Sequence, residues 1–136
     1  MLDTTEFYFR EELLAHAKEP RNFGVLKKAV IRKKETNPLC GDEIEMFADV
    51  KKGKLSKVMF KGHGCYISQA AASKLTDEVK KKKLGDIINM NEEDVKTMLG
   101  ATITPARQKC AMLSLRALQE GINDYLITKD KRNAQQ

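Results

Sequence analysis

The run Ile44-Glu45-Met46-Phe47-Ala48-Asp49-Val50-Lys51-Lys52-Gly53-Lys54-Leu55-Ser56-Lys57-Val58-Met59-Phe60 decides the fold. Ile44, Met46, Ala48 and Val50 alternate with Glu45, Phe47 and Asp49, the period of two that a half-buried strand requires. Residues 51–54 are polar and contain a glycine, after which Val58 and Phe60 alternate with Lys57 and Met59, so the two runs predict a hairpin. A strand is also expected upstream, over Val25 to Ile31. Beyond Gly64 the period lengthens. Ile67, Ala70, Ala71, Leu75 and Val79 recur at three and four, which predicts a helix with a tightly packing face that ends in the lysines of residues 80–83. Strands first and helices second predict an α+β domain, a small antiparallel sheet with helices packed on one face.

Outward from this centre, Phe9, Leu13, Leu14 and Ala17 mark an amphipathic helix over residues 7–18, stopped by Pro20, Asn22 and Gly24. Short helices are expected over residues 86–90 and 91–99, with Asn91 as N-cap and Asp94 three residues on, ended by Gly100. Thr104 before Pro105 opens a last helix, because threonine caps orphan amides and proline suits the first helical position. It is expected to run to about Leu126. Residues 1–128 then form a single domain and 129–136 a flexible polar tail.

The chain has 136 residues, 41% of them hydrophobic, which suits one globular core and excludes general disorder. No run approaches the roughly 18 apolar residues of a membrane span, and Glu6, Arg10, Glu11 and Glu12 interrupt any signal-peptide core, so a cytoplasmic protein is expected. With 25 basic and 19 acidic residues the net charge is +6, a weak pull toward acidic partners and far from a nucleic-acid tail. Three cysteines cannot all pair within one chain, and in a reducing compartment they read as metal ligands or nucleophiles.

Cys40 follows Asn37-Pro38-Leu39 and precedes Gly41-Asp42, a turn that presents its thiol. Cys65 follows Gly62-His63-Gly64 and opens the small-residue helix, where the positive end of the dipole favours a thiolate. Cys110 lies in the last helix beside Lys109 and three residues after Arg107. Each could instead be a small buried hydrophobe, Cys110 above all. Glycines beside Cys40 and Cys65 let the backbone approach a bound ion and donate amides to its sulfurs. The separations of 25 and 45 residues do not fit a zinc finger, so the residues alone reach only a three-thiolate metal or cluster site. Asp42 is either a fourth ligand, on the same side of a starting strand as Cys40, or a turn cap. His63 offers an imidazole or simply faces solvent, and His16 reads as a surface or packing residue. Lys80 to Lys83 are a solvated helix end or, on the sharper reading, a docking patch.

Four segments together, residues 16–24 (HAKEPRNFG), 37–42 (NPLCGD), 62–73 (GHGCYISQAAAS) and 107–113 (RQKCAML), resemble the NifU N-terminal/IscU/SufU family of iron–sulfur cluster assembly scaffolds over nearly the whole chain. The resemblance implies a three-stranded antiparallel sheet with helices on it, a NifU-like fold. It implies that Cys40, Cys65 and Cys110 carry sulfur and bind iron, with Asp42 as the carboxylate ligand. Members receive sulfur from a PLP-dependent cysteine desulfurase of the NifS, IscS or SufS type, build a 2Fe-2S cluster and pass it to apo-proteins. Many hold Zn2+ at the same four positions, which suits a tetrahedral site. A hard oxygen ligand among soft thiolates favours release.

The chain departs from both subfamilies. Lys109 stands where IscU-type members place histidine, as in SufU-like ones. Residues 102–106 (TITPA) do not match the segment that the dedicated chaperone of the IscU system recognises, which argues against chaperone-driven release. The separation between Cys65 and Cys110 is too short for the insertion of SufU-like members. The expected function is a scaffold, not a conventional enzyme. The alternatives are a zinc-dependent sulfurtransferase that accepts sulfur from a desulfurase and a basic binding module whose cysteines only pack.

Overall fold

The computed structural model describes residues 4–39, 41–100 and 103–134, with side chains over 10–39, 41–100 and 103–130. Cys40 therefore lies outside the described residues. In chain order the elements are α1 (Thr4–Lys18), β1 (Ile31–Asn37), β2 (Asp42–Lys51), β3 (Lys54–His63), α2 (Tyr66–Val79), α3 (Leu84–Ile88), α4 (Glu92–Leu99), α5 (Pro105–Ala111) and α6 (Leu113–Ala134). The strands form one antiparallel meander in the order β1-β2-β3. Asn37 pairs with Asp42, Ile44 with Gly62, and Met46 with Phe60.

The hairpin is where its alternation puts it. Ile44, Met46, Ala48, Val58 and Phe60 point to one face and are buried there with Ile31. Helix α2 covers the β3 side and α6 the β1 and β2 side, while α1 packs on the back of α2. Ala70, Ala71, Ala72 and Ser73 keep the α2 surface flat, so buried Leu75 and Val79 reach the sheet with little side-chain bulk between. His16 Nδ1 meets Ser73 Oγ at 2.8 Å, and the Lys74 ammonium is 3.2 Å from the Glu12 carboxylate, which ties α1 to α2. On the opposite face of the sheet Phe47 is nevertheless fully buried, with the Arg32 guanidinium 5.2 Å from its ring centre.

Three expectations are corrected. The upstream strand is not over Val25 to Ile31 but begins at Ile31 and ends at Asn37. Its core-side positions after Ile31 are Lys33 and Glu35, which face the charges of α6 instead of an apolar layer. Lys33 Nζ lies 3.0 Å from Asp124 Oδ2, and Glu35 hydrogen-bonds Glu120. Close approach of α6 to this strand depends on Gly121, since a Cβ there would stand 2.8 Å from Ile31 Cγ2. The last helix is broken at Met112 into α5 and α6, where the Met112 N–H bonds the carbonyls of both Gln108 and Cys110. Finally, α6 continues past Leu126 to Ala134, where Lys129, Lys131, Arg132 and Ala134 are good helix formers and lysine and arginine suit the negative end of the helix dipole.

Both predicted caps are formed. The Asn91 side chain accepts from the Asp94 N–H while the Asp94 carboxylate accepts from the Asn91 N–H, a reciprocal capping box. Thr104 Oγ1 accepts from the Arg107 N–H, with Pro105 at the start of α5. Among the described residues no helix is long and apolar enough to cross a membrane.

Candidate metal centre

One end of the sheet gathers the polar chemistry. Asp42 opens β2, the chain leaves β3 at His63, and Gly64 carries it directly into α2 with Cys65 as the N-cap residue. Helix α5 lies against the start of α2 and brings Cys110 to the same place. One ligand atom each from Asp42, Cys65 and Cys110 lies within 4.8 Å of the others, the only such cluster of His, Cys, Asp or Glu among the described residues. These donors line a cleft of about 260 Å3 with Gly64, Ala106 and Arg107. A larger hollow of about 580 Å3, lined by residues such as Arg32, Asp124 and Tyr125, lacks such a donor set.

Asp42 is the most firmly held of the three. It is 1% exposed, Oδ1 accepts the Cys65 backbone N–H at 2.9 Å, and Oδ2 lies 3.5 Å from Cys65 Sγ. The carboxylate thus accepts the amide of the N-cap residue of α2 on one oxygen and faces the Cys65 thiol with the other. Gly64 makes this possible in two ways. Its φ is +143°, a conformation that disfavours any side chain, and a Cβ there would stand 2.6 Å from Asp42 Cγ and closer still to Oδ1. Gly62 is equally constrained, because a Cβ would press on the Glu43 carbonyl and come within 2.9 Å of Ile44 Cδ1. The glycines around Cys65 thus admit a carboxylate and a neighbouring strand, where the sequence suggested approach to a bound ion.

Cys65 is half-buried and Cys110 buried. The Asn37 amide, at the end of β1, donates from Nδ2 to Cys110 Sγ at 3.8 Å, while its Oδ1 accepts the Leu39 N–H at 3.2 Å. Asn37 thus fixes the turn and faces a thiol, a role hidden from a reading that took it only as a turn residue. Arg107 was noted for its charge. Its guanidinium lies 5.2 Å from the ring centre of Tyr66, a contact across α2 and α5 that sequence spacing did not suggest.

Of the predicted candidates, Asp42, Cys65 and Cys110 come together. Strand geometry begins at Asp42 and not before, since Gly41 has φ +73°. His63 is separate, exposed on the rim with Nε2 3.6 Å from Glu43 Oε2. His16 serves the contact between α1 and α2, where burial and then the Lys74 ammonium hold its pKa below the ordinary value.

Two thiols and a carboxylate suit zinc or ferrous iron. Tetrahedral zinc with bonds near 2.3 Å sets its donors about 3.7 Å apart, so a group whose atoms lie within 4.8 Å needs only modest contraction. The residues present therefore fit such an ion.

The chain is similar to known proteins over most of its length. Residues 8–132 match the family of NifU-like N-terminal domains. The zinc-dependent sulfurtransferase SufU of Bacillus subtilis is 31% identical over 131 residues, covering 84% of this chain and 88% of that protein. The iron–sulfur cluster assembly scaffold protein IscU of Aquifex aeolicus is 33% identical over 127 residues, covering 92% and 80%. The crystal structure of the N-terminal part of a nitrogen-fixing NifU-like protein from Brucella abortus has the same fold, with a TM-score of 0.71 at 16% identity, over 85% of this chain and 92% of that one.

Proposed function

Because this chain belongs to the family of NifU-like N-terminal domains, we propose that it is an iron–sulfur cluster assembly scaffold whose working residues are Cys40, Asp42, Cys65 and Cys110. The observation that carries the reading is the convergence of Asp42, Cys65 and Cys110 at one end of the sheet. Cys40 joins them on the family resemblance and on its place two residues before Asp42.

Sulfur arrives from a cysteine desulfurase. A thiolate of this chain attacks the outer sulfur of the desulfurase persulfide, the desulfurase cysteine leaves as a thiolate, and the sulfur is now carried here as a persulfide. Reducing it to sulfide takes two electrons from an external reductant. Ferrous iron is held by the thiolates and Asp42, and the finished 2Fe-2S cluster passes to an apo-protein. Thiolates match the softness of the cargo, and the carboxylate is its harder and more exchangeable ligand.

A second reading keeps every ligand and changes the occupant. In a zinc-dependent sulfurtransferase, Zn2+ at these residues would act as a Lewis acid and hold the thiols as thiolates. Likeness to the Bacillus protein supports this reading, as does Lys109 in place of a histidine beside Cys110.

The test is metal and sulfide analysis with an absorption spectrum, on protein purified without oxygen and again after incubation with ferrous iron, cysteine and a desulfurase. Visible bands with near-equal iron and sulfide, lost in Cys-to-Ser variants, are expected of the scaffold. One tightly held zinc per chain, no cluster, and faster desulfurase turnover in its presence would overturn it in favour of the sulfur acceptor.

A further inference from the structure

The opposite end of the sheet carries a second concentration of charge. The turn between β2 and β3 presents Lys51, Lys52 and Lys54, and the connection from α2 to α3 presents Lys81 and Lys83. The two segments are bound together. Lys54 and Lys83 form an antiparallel bridge, the Lys81 N–H donates to the Leu55 carbonyl at 2.8 Å, the Leu55 N–H to the Lys82 carbonyl at 3.1 Å, and the Leu84 N–H to the Gly53 carbonyl at 3.2 Å. All five lysines are exposed, and none forms an ion pair among the described residues. Their neighbours differ: Lys80 is engaged by Asp77 and Asn22, and Lys82 by Glu78.

Two features separate this corner from an ordinary solvated surface. Five exposed ammonium groups with no ion-pair partner among the described residues stand on two short segments joined by main-chain hydrogen bonds, so their positive charge is concentrated and locally uncompensated. Moreover, Lys52 and Lys81 both hold left-handed backbone, at φ +56° and +68°. Asn or Gly adopts that conformation at lower cost, and asparagine holds it at Asn22. The chain places lysines at both positions, against local backbone preference.

We propose that this corner is a docking surface for an acidic protein segment, a helix or loop with clustered Asp and Glu side chains. Leu55 and Leu84 beneath it are buried, so no apolar side chain is available for insertion into a lipid surface. It offers no arginine fork for bidentate phosphate contacts and no aromatic ring on which a base could stack. Lysine ammonium groups meeting carboxylates give fast, salt-sensitive association. The corner lies a strand's length from Asp42, roughly 30 Å for a ten-residue strand, so a partner docked there leaves the thiol site open. The inference does not depend on what occupies that site.

The test uses a fluorescein-labelled, glutamate-rich helical peptide, followed by fluorescence anisotropy at low and physiological salt. The corner variant carries Lys51→Gln, Lys52→Asn, Lys54→Gln, Lys81→Asn and Lys83→Gln. Asparagine tolerates the left-handed conformation, so thermal unfolding at or above the wild-type temperature is expected. Peptide affinity should fall about tenfold or more in this variant, and by less than about twofold when exposed Lys18, Lys27, Lys28, Lys96 and Lys129 are changed to glutamine instead. Equal losses in the two variants would reduce the corner to generic charge and overturn the proposal. Tighter corner-dependent binding of a single-stranded oligonucleotide, or of phosphatidylserine vesicles, than of the peptide would overturn the acidic-protein assignment.

Discussion

Replacing Gly64 by alanine tests how the candidate centre is built. The new Cβ would meet the Asp42 carboxyl group, 2.6 Å from Cγ and nearer to Oδ1, and the residue would have to hold φ +143°. Backbone strain of this kind costs about 1–3 kcal/mol. Displacing Asp42 from the Cys65 N–H forfeits a charge-assisted hydrogen bond of about 1.5–3 kcal/mol. Together these predict a loss of roughly 3–5 kcal/mol, a large share of the usual domain stability of about 5–15 kcal/mol. Urea unfolding followed by far-UV circular dichroism measures it. The same change at Gly85, where a Cβ meets nothing within 4 Å, is predicted to stabilise by about 0.5 kcal/mol. In an Asp42→Gly background the whole side chain that the new Cβ would meet is gone, and Gly64→Ala should cost only its backbone share, about 1–3 kcal/mol, whereas Asp42→Ala keeps a Cβ 2.9 Å away and should relieve the cost in part. A loss below about 1 kcal/mol in the wild-type background, or one that Asp42→Gly leaves unchanged, would refute the claim that Gly64 exists to admit the Asp42 side chain.

Two further outcomes follow from the same structure. The Glu35 carboxyl is pushed up to about 7, first by its hydrogen bond to Glu120, then by burial and the Glu120 charge, against the pull of Arg116 and Lys33. Since the folded value lies above the ordinary 4.5, this group's contribution to stability is complete below about pH 4.5 and lost as pH rises toward 7. After allowance for solvent screening, Glu120→Gln is expected to stabilise the protein by about 1 kcal/mol at pH 8 and very little at pH 4; parallel urea profiles for the two proteins across that range would refute it. Asp42→Ala is expected to lengthen the life of a reconstituted cluster, read from the decay of its visible absorption, and decay as fast as in the unmodified protein would remove Asp42 from any role in lability.

What the sequence revealed, and what it hid, has a common cause. The hairpin was legible because Ile44, Met46, Ala48, Val58 and Phe60 face one apolar layer, and the caps at Asn91 and Thr104 because capping is local chemistry. Strand β1 was not, because Lys33 and Glu35 are matched by Asp124 and Glu120 on α6, some ninety residues later in the chain. Alternation of hydrophobicity cannot mark a strand whose inner partners are charged. The break at Met112 has no marker such as glycine or proline in its own residues. At the site, Asp42 and Cys65 stood out at a turn and a helix start, whereas Cys110, inside a helix and readable as a small core residue, was singled out by the family resemblance. Asn37 beside Cys110, and Arg107 over Tyr66, depend on how α5 meets the rest of the fold, and no local pattern encodes that.

The donors of the proposed centre have other partners within the chain, which would ease release of its cargo. Without an ion, Asp42 already has a backbone amide on one oxygen and the Cys65 thiol near the other, and Cys110 has the Asn37 amide. A cation bound by the proposed centre would replace the contact between Cys65 Sγ and Asp42 Oδ2. On departure the same contacts reform and no buried charge is stranded. A closed structural site, whose donors have no other partner, would leave an unpaired carboxylate in the interior and resist release. In the proposed scaffold the thiolates would supply the affinity, while the hydrogen bonds held in reserve by Asp42 and Asn37 would lower the cost of giving the cargo up.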